Sequence, residues 1–145
     1  LVVPKHFFTP EIIEKRKALA DTARRAGWVG CNILLESIPQ SGRIYLIKDS
    51  IVKSPTEVFS DWKRTLFLRE ENILKSKGWL LDVMSCVEKL GVGEFSLAQV
   101  YSFENALGQK HPDNRHIKDK IRQQLQVLRD RDYLEFVGRG RYRLL

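Results

Sequence analysis

A chain of 145 residues carries 25 Lys and Arg against 18 Asp and Glu, a formal net charge of +7, with 43% hydrophobic, 30% charged and 10% aromatic residues. That balance excludes a disordered tail, a collagen-like repeat and a disulfide-stapled scaffold, and the length holds one ordinary domain or two small ones rather than a large multidomain enzyme. An isoelectric point near 9.6 directs attention to polyanionic partners, provided the cations cluster where a phosphate backbone can reach them.

Residues 1–3 read as a short buried strand. Thr9-Pro10-Glu11 then offers an N-cap, a proline at the first helical position and an acid in the first turn, which predicts a helix to about residue 19. A polar, glycine-bearing stretch over 20–30 holds Arg24, Arg25 and Trp28, after which 31–35 and 43–48 are strand-like, with Gly42 marking the turn before the second. Ser54-Pro55-Thr56-Glu57 is a capping box, predicting a helix from Pro55 to about residue 68 with Val58, Phe59, Trp62 and Leu66 inward. This first part, 1–68, alternates strand and helix.

Residues 69–78 turn polar and finish in Ser76-Lys77-Gly78, the composition of a linker. Trp79, Leu80, Val83, Met84, Val87 and Leu90 then recur at helical spacing until Gly91 and Gly93 stop them before Glu94-Phe95. Ser96-Leu97-Ala98-Gln99 is a second capping box, opening a helix with Leu97, Val100, Tyr101, Phe103 and Leu107 on its buried side. Asp113 is placed to cap a third helix from Asn114 to about Asp130, on which Ile117, Ile121, Leu125 and Leu128 make one stripe. Residues 133–137 and 141–144 form a hairpin in outline around Gly138-Arg139-Gly140. Helix, short strand, two helices and a hairpin over 79–145 is the order of a winged helix-turn-helix, and the chain as a whole is α+β.

With that stripe inward, Arg115, Asp119, Arg122, Gln123 and Gln126 project from the opposite side of the third helix, flanked by Asn114, His116 and Lys118. Such a face suits base-edge reading, since Arg forks onto guanine, Gln onto adenine, and Asp accepts from cytosine. Taken alone it is also an ordinary solvated face with an i,i+4 pair; the preceding helix and following basic hairpin favour DNA. Arg139, Arg141 and Arg143 fall within five residues with no acid between them, on a turn thin enough to approach a duplex. Alternation sends Tyr142 and Leu144 to the other strand face, so Tyr142 is expected in the core. In the first part, Arg24 and Arg25 are placed to clamp phosphates or bases, while Trp28 reads equally as a core anchor or as an apolar wall for a base or methyl group.

Cys31 and Cys86 stand apart without a Cys-x-x-Cys pair, which fits reduced thiols, and His6, His111 and His116 lack metal-like spacing. No apolar run approaches a membrane span and the amino end has no signal-peptide pattern, so a soluble cytoplasmic protein without membrane partners is expected. The chain begins without methionine in an apolar run, which is the expected appearance of a sequence that starts partway through a longer protein.

Ala23-Arg24-Arg25-Ala26-Gly27-Trp28-Val29-Gly30-Cys31-Asn32-Ile33, together with His116-Ile117-Lys118-Asp119-Lys120-Ile121-Arg122-Gln123-Gln124-Leu125 and Gly138-Arg139-Gly140-Arg141-Tyr142-Arg143, resembles the carboxy-terminal part of the DpnI-type, Dam-replacing restriction endonucleases. Gly42-Arg43-Ile44-Tyr45 and Phe67-Leu68-Arg69 extend the likeness across essentially the whole chain. The resemblance implies a two-part protein: 1–68 as the distal part of a PD-(D/E)XK nuclease-like α/β domain, a linker at 69–78, and a winged-helix reader at 79–145. It implies a target of double-stranded GATC containing N6-methyladenine, with Trp28 a candidate methyl contact beside Arg24 and Arg25. Arg115, His116, Lys118, Asp119 and Arg122 fall on the second reader's recognition helix, and the wing arginines on its backbone contacts. A monomer is expected.

The family's Asp and Glu-x-Lys motif and its zinc-binding cysteine pairs have no counterpart in this chain. Val2-Val3-Pro4-Lys5 lacks an acidic partner, and Glu36, Asp49, Asp61 and Asp82 lack the spacing to hold Mg²⁺ against a phosphate. This chain alone is therefore expected not to cleave DNA and to hold no cofactor, whereas its parent would use Mg²⁺. Two other classes fit the same second half: a non-catalytic winged-helix transcriptional regulator with 1–68 as a ligand or dimer domain, and a protein-binding winged helix without a DNA role.

Overall fold

A computed structural model describes residues 1–70 and 74–145. Thr9-Pro10-Glu11 yields only the single 3-10 turn Pro10–Ile12, and the Thr9 hydroxyl caps nothing. The chain then straightens into β1, Ile13–Ala18, antiparallel to β2, Val29–Ile33. A strand thus replaces the helix expected over 10–19. Glu, Lys, Arg and Ala are good helix formers, but intrinsic propensity is outweighed here by long-range pairing with a partner that carries Val29 and Ile33.

Residues 1–3 differ as well: Val2 and Ile44 exchange backbone hydrogen bonds of 2.7 and 2.9 Å, yet Leu1 and Val2 remain exposed. Gly42 closes the turn Gln40–Gly42, where a Cβ would stand 2.8 Å from the Phe7 ring and 2.7 Å from Ile38. Only a residue without a side chain lets these two buried groups shut over the turn. A two-residue hairpin follows, β3 (Ile47–Lys48) against β4 (Ile51–Val52), with Asp49 and Ser50 both left-handed at φ 51° and 65°.

The first capping box forms reciprocally at α1, Pro55–Arg64: Glu57 N donates to Ser54 Oγ (3.3 Å), and Ser54 N to the Glu57 carboxylate (2.9 Å). The helix stops at Arg64, and Leu66–Arg69 is a 3-10 turn. No residue of α1 is buried and Phe59 is exposed, contrary to its expected inward place; Leu68, one turn on, is the buried anchor.

The second half begins with α2, Leu74–Lys89. Ser76, Lys77 and Gly78, expected within a linker, are part of this helix, while positions 71–73 of that stretch lie outside the described residues. Strand β5 (Glu94–Ser96) follows. The single helix expected next is two, α3 (Leu97–Tyr101) and α4 (Glu104–Lys110), parted at Ser102, whose hydroxyl turns back to the Gln99 carbonyl at 2.7 Å. Helix α5 spans Ile117–Asp130, and β6 (Leu134–Gly138) and β7 (Arg141–Leu144) complete an antiparallel sheet of order β5-β7-β6. This is the expected winged helix-turn-helix. Ile121, Leu125 and Leu128 are fully buried, each contributing about 2 kcal/mol.

The two halves share one core, in which Phe7, Ile12, Ile38 and Leu68 join the buried residues of α2, α5 and β6. Their polar joint centres on Glu88 of α2. Its carboxylate accepts from Gln40 N, from Ser41 N at 3.2 Å and from the buried Tyr133 hydroxyl. Burial, then the Glu88 charge, push the Tyr133 hydroxyl far above its ordinary pKa, so it is always a donor. Arg64 lies 4.9 Å over the Tyr133 ring, and Arg131 pairs with Glu70 at 2.6 Å.

Candidate nucleic-acid interface

The recognition helix starts later than the sequence predicts, and Asp113 does not cap it. Asn114 Oδ1 instead accepts from His116 N at 2.8 Å, fixing the turn, and α5 begins at Ile117. Arg115 and His116 are exposed on this turn, while Asn114 is half-buried and engaged in holding it. On the helix, Asp119 accepts from Arg122, with His116 Nδ1 at 3.9 Å, and both lie on the exposed face with Lys118, Gln123 and Gln126. Lys118 reaches Glu104 at 3.2 Å and sits 5.5 Å over the Tyr101 ring. Arg115 makes no ion pair among the described residues, so its guanidinium is available to a ligand.

The wing corrects one expectation. Arg143 carries no acidic neighbour in sequence, but register places it between Glu94 on β5 and Glu135 on β6. Its guanidinium donates to Glu94 at 2.5 and 3.0 Å and to Glu135 at 3.1 Å; Arg141 reaches Glu94 at 3.2 Å. Hydrogen bonding from Arg143, with its charge, holds the Glu94 carboxyl below the usual range. Arg141 and Arg143 therefore lie on the flat outer face of the sheet, neutralised by cross-strand acids that local sequence does not display. Of the three wing arginines, Arg139, exposed at the tip beside Gly140 at φ 67°, is the one without an ion pair among the described residues. Tyr142 is half-buried, stacked on Phe95 (5.7 Å) and edge-on to Phe136 (5.8 Å).

Trp28 is not a core anchor: it is 54% exposed. It stands where the β1–β2 hairpin closes, with Leu19 N donating to Trp28 O (2.9 Å) and Trp28 N to Arg25 O (3.0 Å). Gly27 takes a φ of 76° in that turn, a conformation open chiefly to glycine. Arg24 and Arg25 are exposed in the same loop and make no ion pair among the described residues. Strand alternation sorts the hairpin into two sides. Glu14 pairs with Asn32, whose amide donates to it at 2.9 Å, so Glu14, Arg16, Trp28, Gly30 and Asn32 share one side, with Ile13, Lys15, Val29, Cys31 and Ile33 on the other.

Lys15, Arg16 and Lys17 are functional candidates that the sequence reading missed. Their signal was present as a basic run, but a helix would have scattered it, whereas a strand pairs it with the segment carrying Trp28. The candidates thus gather into two groups: Arg24, Arg25 and Trp28 on the hairpin, and Asn114, Arg115, His116, Lys118, Asp119 and Arg122 at the start of α5, with Arg139 on the wing. No ion pair among the described residues links the groups.

A cleft of about 530 Å³ is lined by Arg43, Lys48, Asp49, Glu57 and Asp61 among others. Asp61 is committed to Lys53 and Glu57 to the Ser54 cap, so these acids do not fit a Mg²⁺ site. Among the described residues no three His, Cys, Asp or Glu side chains converge as metal ligands, and no helix is long and apolar enough to cross a membrane. Compared with known families, residues 1–71 match the Dam-replacing family and residues 75–144 match the Dam-replacing HTH domain.

Proposed function

Because the chain belongs to the Dam-replacing family and carries its helix-turn-helix domain, we propose that it is the DNA-reading part of a methyl-directed restriction endonuclease. Its target is double-stranded GATC containing N6-methyladenine. The observation that supports this reading best is Trp28, a large indole left exposed where no requirement of the core places it, in the same loop as Arg24 and Arg25, which make no ion pair among the described residues. An indole face excludes water from a methyl group, and the two guanidiniums bind the flanking phosphates. Residues 1–68 act as one reader and 79–145 as the other, with 74–78 belonging to the first helix of the second.

In the second reader Arg115, His116, Lys118, Asp119 and Arg122 meet base edges and Arg139 a phosphate or the minor groove, while Arg141 and Arg143 brace the wing. Among the described residues no His, Cys, Asp or Glu cluster assembles a metal site, and on this reading the chain supplies DNA binding while a parent nuclease would supply phosphodiester hydrolysis. If each reader loses ~1 kcal/mol without the methyl group, penalties add when both engage, which multiplies discrimination.

The test is binding to matched duplexes with unmethylated, singly methylated or doubly methylated GATC, and to a scrambled site, at several salt concentrations. A methyl preference that survives high salt is expected. Equal, steeply salt-dependent binding to all four duplexes would refute methyl reading and leave a basic winged helix.

A further inference from the structure

A methyl group placed on Gly30 Cα would stand 2.9 Å from Trp28 Cζ3 and 3.1 Å from Cη2, closer than carbon atoms rest. The same point lies 3.8 Å from Arg16 Cδ, across the strand pair. The outer edge of the indole therefore rests against Gly30, in a gap that the Arg16 stem borders. No left-handed φ demands glycine at position 30, which lies in β2 opposite the bulge that β1 makes between Lys15 and Ala18. Nor does the core demand it, since its neighbours on this side, Glu14, Arg16 and Asn32, are all exposed. What the missing side chain provides is room for the ring.

We infer that Gly30 and Arg16 form a seat for Trp28 and are positioning residues for the discrimination of an N6-methylated adenine. The inference rests on the reading of Trp28 as the methyl contact. With the Cζ3–Cη2 edge against Gly30 and more than half of the residue exposed, the ring is held in place, and an aromatic held this way loses little freedom on meeting a base. Any side chain at 30 lifts the ring. Because the atoms it would strike are the far end of one exposed side chain rather than backbone, the displacement leaves the hairpin intact. Arg16 contributes twice, its methylene stem bordering the ring and its guanidinium remaining available to phosphate.

The experiment compares Gly30→Ala, Arg16→Ala, Arg16→Met and Trp28→Ala with the natural chain, using duplexes with a single GATC site, doubly methylated or unmethylated, and thermal unfolding of each protein. Gly30→Ala should unfold at the natural temperature or slightly above, since alanine restricts the unfolded chain more than glycine. It should lower the ratio of methylated to unmethylated affinity about fourfold, the value of roughly one methylene of burial, with the loss falling on the methylated duplex. Arg16→Ala should lower that ratio too, whereas Arg16→Met, which keeps the stem, should weaken both duplexes alike and keep the ratio. If Gly30→Ala keeps the ratio while Trp28→Ala abolishes it, the seat is refuted and the reading of Trp28 stands. If Trp28→Ala itself keeps the ratio, the reading fails and the seat with it. Should Gly30→Ala not fold, the two Arg16 variants decide, since equal ratios in both overturn the inference.

Discussion

At the scale of single residues, the ion pairs separate arginines that sequence treats alike. Arg139 stands free at the wing tip, whereas Arg143 is held by Glu94 and Glu135. Arg139→Ala should weaken binding to all duplexes and reduce the slope of log affinity against log salt by about 1, the signature of one lost phosphate contact. Arg143→Ala should leave that slope in place and show only a small fall in unfolding midpoint, because exposed ion pairs contribute little. Equal slopes in the two variants would place Arg143 on the DNA after all. His6 offers a pH test. Its ring is buried with Nε2 3.0 Å from Thr65 Oγ1, and burial, then the charges of Lys77 and Arg69, hold its pKa down to about 4. A depressed value means the neutral ring is the folded form. Its stabilisation is complete above pH 6.5 and is lost as pH falls from 6.5 toward 4, by up to about 3 kcal/mol. Denaturant unfolding across that window should fall with pH, and His6→Asn should flatten the dependence.

At the scale of elements, the second half was legible because its signals are local. Both capping boxes form as spelled, at Ser54 with Glu57 and at Ser96 with Gln99. The stripe Ile117, Ile121, Leu125 and Leu128 also faces the core as its spacing requires. Where the outcome depends on a distant partner, sequence misled. Thr9-Pro10-Glu11 carries every mark of a helix start, yet β2 captures the following residues, and no local feature of 13–18 announces Val29 or Ile33. The same holds for the wing, where the acids beside Arg143 arrive from strands 49 and eight residues away. The candidate site follows this division. The α5 face came from periodicity, the exposure of Trp28 stayed open until the hairpin showed that no core encloses it, and Arg16 was hidden by the helix assignment.

At the scale of the molecule, the two halves are packed as one body through Glu88. Its carboxylate serves two backbone amides of the Gln40–Gly42 turn and the Tyr133 hydroxyl. Glu88→Ala should cost about 2 kcal/mol, more than its half-exposed place in α2 would indicate, because it strips the buried Tyr133 phenol of its charged acceptor and leaves only the Ser41 hydroxyl beside it. Glu88→Gln, which retains one carbonyl acceptor, should recover part of this in denaturant unfolding. A Glu88→Ala protein as stable as the natural one would show that the joint rests on apolar contacts alone.

The cross-strand acids of the wing also bear on how a duplex arrives. Glu94 and Glu135 face Arg141 and Arg143 in equal number on the flat side of the sheet. A polyanion diffusing toward that side meets no net attraction, whereas Arg139 at the tip and Arg115 beside α5 present uncompensated charge. On the proposed reading, long-range forces would turn an incoming duplex before contact, so that a larger share of collisions begins in a productive orientation. On that reading the carboxylates would raise the yield of encounters by making one approach unrewarding.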